Sequence, residues 1–132
     1  MNFEFIIPRR PVSLQTGNKK NLQAWKNFVF AEAAKTWIGT VNTEMEMQLT
    51  LVYLYDNYPV DIDNIIKPIQ DALQNLIYKD DTLVTDVDAH RRPLKGTTDM
   101  THLPLLLFNA IVSGNECVYV RISYAQPLEN YL

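Results

Sequence analysis

The chain has 132 residues, 47% of them hydrophobic, and a net charge of -3. That length suits one domain over residues 1–132 with a core that needs no staples, and the lone cysteine, Cys117, excludes an internal disulfide and fits a reducing cytoplasm. No apolar run approaches the roughly 20 residues of a membrane span, and Met1 to Phe5 lacks the basic-then-apolar start of a secretory leader, so a soluble cytoplasmic protein is expected.

Phe3 to Ile7 alternates weakly and predicts a first strand, stopped by Pro8 and Pro11. Residues 8–21 combine prolines, a Gly-Asn pair and four basic side chains, the composition of a loop. Leu22, Trp25, Val29, Ala33 and Trp37 recur at helical spacing, with Asn21 as the expected N-cap and Gly39 as the stop. Met45 to Tyr55 is the clearest strand. Met45, Met47, Leu49, Leu51, Tyr53 and Tyr55 share one face, while Val52 and Leu54 make the other partly apolar, as in an interior strand. Asp56 to Pro59 breaks it. Ile65 to Ile77 predicts a second helix capped by Asn64, which places Pro68 in its first turn, where a missing N–H costs least. Thr82 to Ala89 predicts a strand, Leu103 to Val112 a short helix, and Cys117 to Tyr124 a last strand that buries the thiol. The alternation predicts a compact α/β domain: a mixed β-sheet of about four strands packed with about three helices.

The charge is unevenly spread. Residues 1–43 carry +4, residues 44–88 carry -8 and residues 89–132 carry +1. An acidic block gains nothing against phosphates by itself, but bound divalent cations reverse the local sign. Asp61 and Asp63 flank the strand-to-helix junction, Lys67 lies four residues on, and Asp80 and Asp81 end the loop before the next strand. A helix that leaves one strand and returns to its neighbour can gather such carboxylates, and hard oxygen ligands suit Mg2+ or Mn2+. Other readings fail on spacing. An EF-hand beginning at Asp61 meets Ile66 and Ala72 where glycine and glutamate belong. Nucleophile elbows and phosphate-binding glycine loops are missing, and His90 and His102 have no partner at ligand spacing, so they read as structural or surface residues.

The whole pattern is more specific than its Asp-x-Asp. Asp61-Ile62-Asp63-Asn64-Ile65-Ile66-Lys67, then Asp71-Ala72-Leu73, then Tyr78-Lys79-Asp80-Asp81 resembles the signature of the RusA family of Holliday junction resolvases. The resemblance is close over about twenty residues, extends loosely to Val84, and is echoed upstream by Pro8-x-x-Pro11-Val12-Ser13. It implies a homodimeric, Mg2+-dependent endodeoxyribonuclease that resolves four-way DNA junctions by paired symmetric nicks in recombination and repair. It also implies that Asp61, Asp63 and Asp81, with Asp80 beside them, bind metal, and that Lys67 is a catalytic or phosphate-contacting cation. Arg9, Arg10, Lys19, Lys20, Arg91, Arg92 and Lys95 are the expected DNA contacts, on loops beside the site.

Each residue has a plainer role as well. Lys67 can form an i,i+4 ion pair with Asp63, Asp71 can pair with a neighbouring loop, and Leu103 to Phe108 serves equally as core helix or dimer contact. Two rival functions remain: a catalytically inactive junction-binding module on the same fold, and an Asp-x-Asp transferase for nucleotide sugars. The intact acidic pattern disfavours the first, and the lack of a nucleotide-binding loop disfavours the second.

Overall fold

A computed structural model describes residues 1–96 and 99–132. In chain order the elements are β1 (Asn2–Ile7), α1 (Lys19–Ala34), β2 (Met47–Tyr55), α2 (Asp63–Ala72), β3 (Val84–Pro93), α3 (Leu105–Ser113) and β4 (Cys117–Tyr124). The strands form one mixed sheet in the order β1-β4-β2-β3. β4 runs antiparallel to both β1 and β2, and β2 runs parallel to β3, with α2 as the crossover that a parallel pair requires. The expected α/β architecture of four strands and three helices is what forms.

β2 is interior, as its two apolar faces predict. Met47, Leu49, Leu51 and Tyr53 are fully buried with Phe5, Ile7, Val118, Val120 and Ile122, under Trp25, Val29 and Ala33 of α1 and Ile65 and Ile69 of α2. The opposite face carries Leu54, Cys117 and Tyr119, and α3 covers it with Leu107 and Ala110. Cys117 is buried in its strand, where the apolar surroundings push its thiol up to about 11. β3 is one of the two edge strands and carries Asp86, Asp88 and Arg92, charges that discourage pairing with another sheet.

Element ends depart from expectation for local reasons. α1 starts at Lys19 because Asn18, rather than Asn21, is its cap: the Asn18 side-chain oxygen accepts the Asn21 N–H at 3.0 Å. It ends at Ala34, well before Gly39; that glycine instead lies against Trp37, whose ring a Cβ would approach to 2.6 Å. Trp37 nevertheless reaches the core from beyond the helix, edge-on to Phe3 with ring centroids 5.0 Å apart.

α2 starts at Asp63, so Asn64 lies inside its first turn and does not cap it. Pro68 is therefore deeper than expected, and its missing N–H leaves the Asn64 carbonyl without a helical partner. The backbone N–H of Leu14 fills that vacancy at 2.9 Å, docking the loop before α1 onto α2. The helix stops at Ala72 rather than Ile77. Asn75 takes φ 66°, a left-handed reversal, while Leu73 and Ile77 stay fully buried in the turns that follow. The returning segment joins residue 42: the Asn42 N–H donates to Ile77 O at 2.8 Å and the Lys79 N–H donates to Asn42 O at 2.9 Å.

Candidate active site

The acidic residues are set out by α2 and by the segment that climbs back beside it. Asp63, Lys67 and Asp71 recur every four residues, so they line one face of the helix. Tyr78 donates its hydroxyl to Gln70 O at 2.6 Å, which holds the returning chain against the same helix. That phenol is fully buried, and desolvation, with Asp81 and Asp71 nearby, pushes its pKa well above the usual tyrosine range. Three residues later Asp81 meets Lys67 in an ion pair, and Lys67 also reaches Asp71 at 2.8 Å. The expected pairing of Lys67 with Asp63 is thus replaced by pairs with Asp71 and Asp81. Hydrogen bonds to Asp71 and then Asp81 raise the pKa of Lys67, so its ammonium stays charged across the neutral range. Asp71 is shared with Lys26 of α1 at 3.7 Å, a helix partner rather than the loop expected for it.

Asp80 has a different task. It precedes the 3-10 turn Asp81–Leu83, and its carboxylate accepts the Thr82 N–H at 3.0 Å. That backbone bond, followed by a contact with Asp81, holds its carboxyl below the ordinary aspartate range. Asp61 sits just before α2, where its carbonyl accepts the Asn64 N–H at 3.0 Å and its side chain stands 77% exposed. Arg91 approaches that side chain to 3.8 Å and donates to Val60 O at 3.1 Å. Asp63 is likewise exposed.

These open aspartates have the chemistry a hard divalent cation needs. They are not gathered around one point, however: among the described residues no three His, Cys, Asp or Glu side chains lie close enough to share an ion. Lys67 occupies the position beside Asp81 that a cation would otherwise neutralise.

The basic residues expected to meet DNA fall into two sets. Lys19 and Lys20 open α1 in solvent, and Lys95 and Arg92 are exposed. Arg91 and Arg92 lie on β3, not on a loop, because the strand continues to Pro93. Arg9 is stacked 3.8 Å over the ring of Phe28. Arg10 makes several internal bonds while its side chain stays 44% exposed: it donates to Asn57 O at 3.1 Å, to Tyr58 O at 2.5 Å and to Glu116 at 3.1 Å. Glu116 also accepts the hydroxyl of Tyr53 at 2.5 Å. His90 pairs with Asp88 at 2.9 Å on β3, a surface contact, and His102 is exposed.

Sequence reasoning missed Glu116 and Tyr53 as supports of the site, since their partners lie 106 and 63 residues away in the chain. It also passed over Tyr58 as part of a turn. The available signal was an aromatic side chain placed among Asp56, Asn57 and Pro59.

Residues 8–102, which carry the Pro8-x-x-Pro11 loop, α1, β2, α2, β3 and every aspartate above, match the protein family described as Endodeoxyribonuclease RusA. The chain belongs to the RusA family. No curated protein matches its sequence. Membership agrees with the Asp-x-Asp-Asn-x-x-Lys resemblance and makes this a nuclease fold whose chemistry is directed at DNA. The matched segment ends before α3 and β4, although β4 lies between β1 and β2 in the sheet and Glu116, just ahead of it, anchors Arg10.

Proposed function

We propose that the protein is a structure-selective endodeoxyribonuclease that resolves four-way DNA junctions with Mg2+ or Mn2+, acting in recombination and repair. The observation that carries this reading is the shared face of α2 within the family-matched segment. Asp61 and Asp63 stand open at its start, and the Lys67–Asp81 pair ties it to the turn that precedes β3.

Asp61, Asp63 and Asp81, with Asp80 alongside, would hold the cation. A bound divalent ion supplies an activated water and neutralises charge building on the phosphodiester. The residues themselves do the rest. The Asp61 and Asp63 carboxylates repel a phosphate until they are neutralised, which couples DNA approach to cation loading. Lys67, kept protonated by its two aspartates, presents a compact positive charge beside the reacting phosphate and stabilises the leaving oxygen. Arg91, bound to Val60 O and near Asp61, fixes the chain that leads into the site. Lys19, Lys20, Arg92 and Lys95 are exposed cations available to neighbouring phosphates, and Arg9 can contribute from its seat on Phe28. Arg10 holds the site's loop, and its side chain, still 44% exposed, is open to a neighbouring phosphate as well.

A four-way junction is close to two-fold symmetric, and productive resolution needs two matched nicks. A homodimer with one site per subunit meets that need. Among the described residues no helix is long and apolar enough to cross a membrane, which is compatible with work on DNA in the cytoplasm.

One observation favours a second reading. Because the three aspartates are not gathered and Lys67 already holds Asp81, the fold could serve as a junction-binding module without chemistry. Cleavage of a labelled mobile junction, beside a linear duplex of matched sequence, separates the two. Paired nicks in the junction with Mg2+, lost with EDTA, support the nuclease. Junction binding without nicks in either Mg2+ or Mn2+ replaces it with the binding module.

A further inference from the structure

Tyr58 is 91% exposed, more than any aromatic residue among the large hydrophobic side chains that reach the surface. It also takes φ 50°, a left-handed conformation that bulky side chains rarely adopt. A flexible loop would relax such a backbone, but this one is held on both sides. Arg10 binds the carbonyls of Asn57 and Tyr58, and Glu116 fixes Arg10 from beyond α3. Two residues later Arg91 binds the Val60 carbonyl. The clamp fixes the main chain and leaves the ring in solvent, three residues ahead of Asp61. Strained conformations persist only where surrounding structure enforces them, and they concentrate at ligand-contacting positions.

We infer that Tyr58 is a stacking platform for a base at the branch point of the DNA. A flat, rigid ring with few rotatable bonds gains from a π-face, and every base offers one without demanding a particular sequence. Bases inside a continuous duplex are already stacked on both sides. Those flanking a branch point have a face to give, so the ring discriminates branched from linear DNA where the carboxylates and lysines cannot. This inference rests on the junction-nuclease reading above and adds to it the residue that selects the structure.

The test uses the full chain and a four-way junction carrying 2-aminopurine at the crossover, with a matched linear duplex as control. Tyr58→Asn removes the ring but suits a positive φ, so its melting temperature should equal or exceed that of the wild type. Its junction affinity should fall about tenfold, the loss expected when one stacked base is released. Linear-duplex affinity should not change, and the 2-aminopurine signal seen with the wild type should vanish. Tyr58→Phe keeps the ring and should restore both affinity and signal. Wild-type junction affinity in Tyr58→Asn, with wild-type cleavage intact, overturns this inference alone. A wild-type protein that neither binds nor cuts junctions overturns the nuclease reading and this inference with it.

Discussion

Lys67 binds Asp81 across fourteen residues of sequence, so the cation of α2 and the last aspartate of the returning chain form one unit. Asp81 therefore has a charged partner before any metal arrives, and a divalent ion must compete with an ammonium for it. Asp81→Asn should lower junction cleavage by about a hundredfold or more, since the charge stabilisation at stake is several kcal/mol. Its stability should hardly move. The pair is partly exposed, Lys67 keeps Asp71, and such pairs contribute only ~0–1 kcal/mol. Cleavage rates beside urea midpoints check both halves; a large loss of stability would make Asp81 a structural residue instead.

Asp61 and Asp63 make the opposite contrast. Both are exposed, and the only ion-pair approach to Asp61 among the described residues is Arg91 at 3.8 Å. The fold depends little on their charge: Asp63, in the first turn of α2, adds only ~0.3–1 kcal/mol through the helix dipole. Asp61→Asn and Asp63→Asn should each abolish Mg2+-dependent nicking while leaving the melting temperature within a few degrees of the wild type, as surface changes usually do. Junction binding in EDTA should be retained or strengthened, because each change removes a negative charge facing phosphate. Gel shifts of the two variants in EDTA settle the sign.

How much of this was legible beforehand depended on the range of each interaction. β2 announced itself because Met47, Leu49, Leu51 and Tyr53 alternate, and burial on one face needs only local order. The aspartates were legible as a motif, because their spacing in the chain carries the pattern. The choice of Asn18 over Asn21 as cap was not, since both residues suit that role and the tertiary fold selects one. The overlong α2 had a similar cause: Leu73 and Ile77 are buried at helical spacing although Asn75 has already reversed the chain. The Arg10–Glu116–Tyr53 network was invisible because its members lie on three separate segments.

That network makes a stability prediction. The hydroxyl of Tyr53 donates to Glu116, while the ring is fully buried in the core. Tyr53→Phe keeps the packing and leaves Glu116 with Arg10 as its remaining partner. The expected cost is ~1–3 kcal/mol, the loss of one charge-assisted hydrogen bond. Urea unfolding should show it as a lowered midpoint with an unchanged slope. Junction cleavage should fall as well, because Glu116, which anchors Arg10 to the loop before Asp61, loses one of its partners.

Pro68 offers a cleaner backbone test. A proline in a helix interior ordinarily costs ~3 kcal/mol relative to alanine, partly through the carbonyl it leaves bare. Here that carbonyl, on Asn64, already accepts the Leu14 N–H at 2.9 Å, and the proline ring is itself buried. Pro68→Ala should therefore gain far less than ~3 kcal/mol and remain within about 1 kcal/mol of the wild type. The restored N–H competes with Leu14 for one acceptor, so amide exchange at Leu14 should accelerate even if global stability does not change. A full gain with unchanged Leu14 exchange would show that the docking of this loop adds nothing.

The titrating groups also predict how the fold responds to alkali. Burial raises the thiol of Cys117 from 9.0 to about 11, and burial with hydrogen bonds to Glu116 and Glu4 raises Tyr53 and Tyr119 from 10.0 to about 12. Lys67 and Tyr78 shift in the same direction. In every case the folded protein holds its proton to higher pH than the unfolded chain. Their contribution is thus complete below about pH 9 and is lost as pH climbs through the folded values near 11 and 12. The melting temperature should fall steadily between those limits. Cys117→Ala should remove the earliest part of the decline, because only that group has an unfolded pKa as low as 9.0 among the five. A melting temperature that stays level to pH 12 would mean that these groups ionise as freely in the fold as outside it.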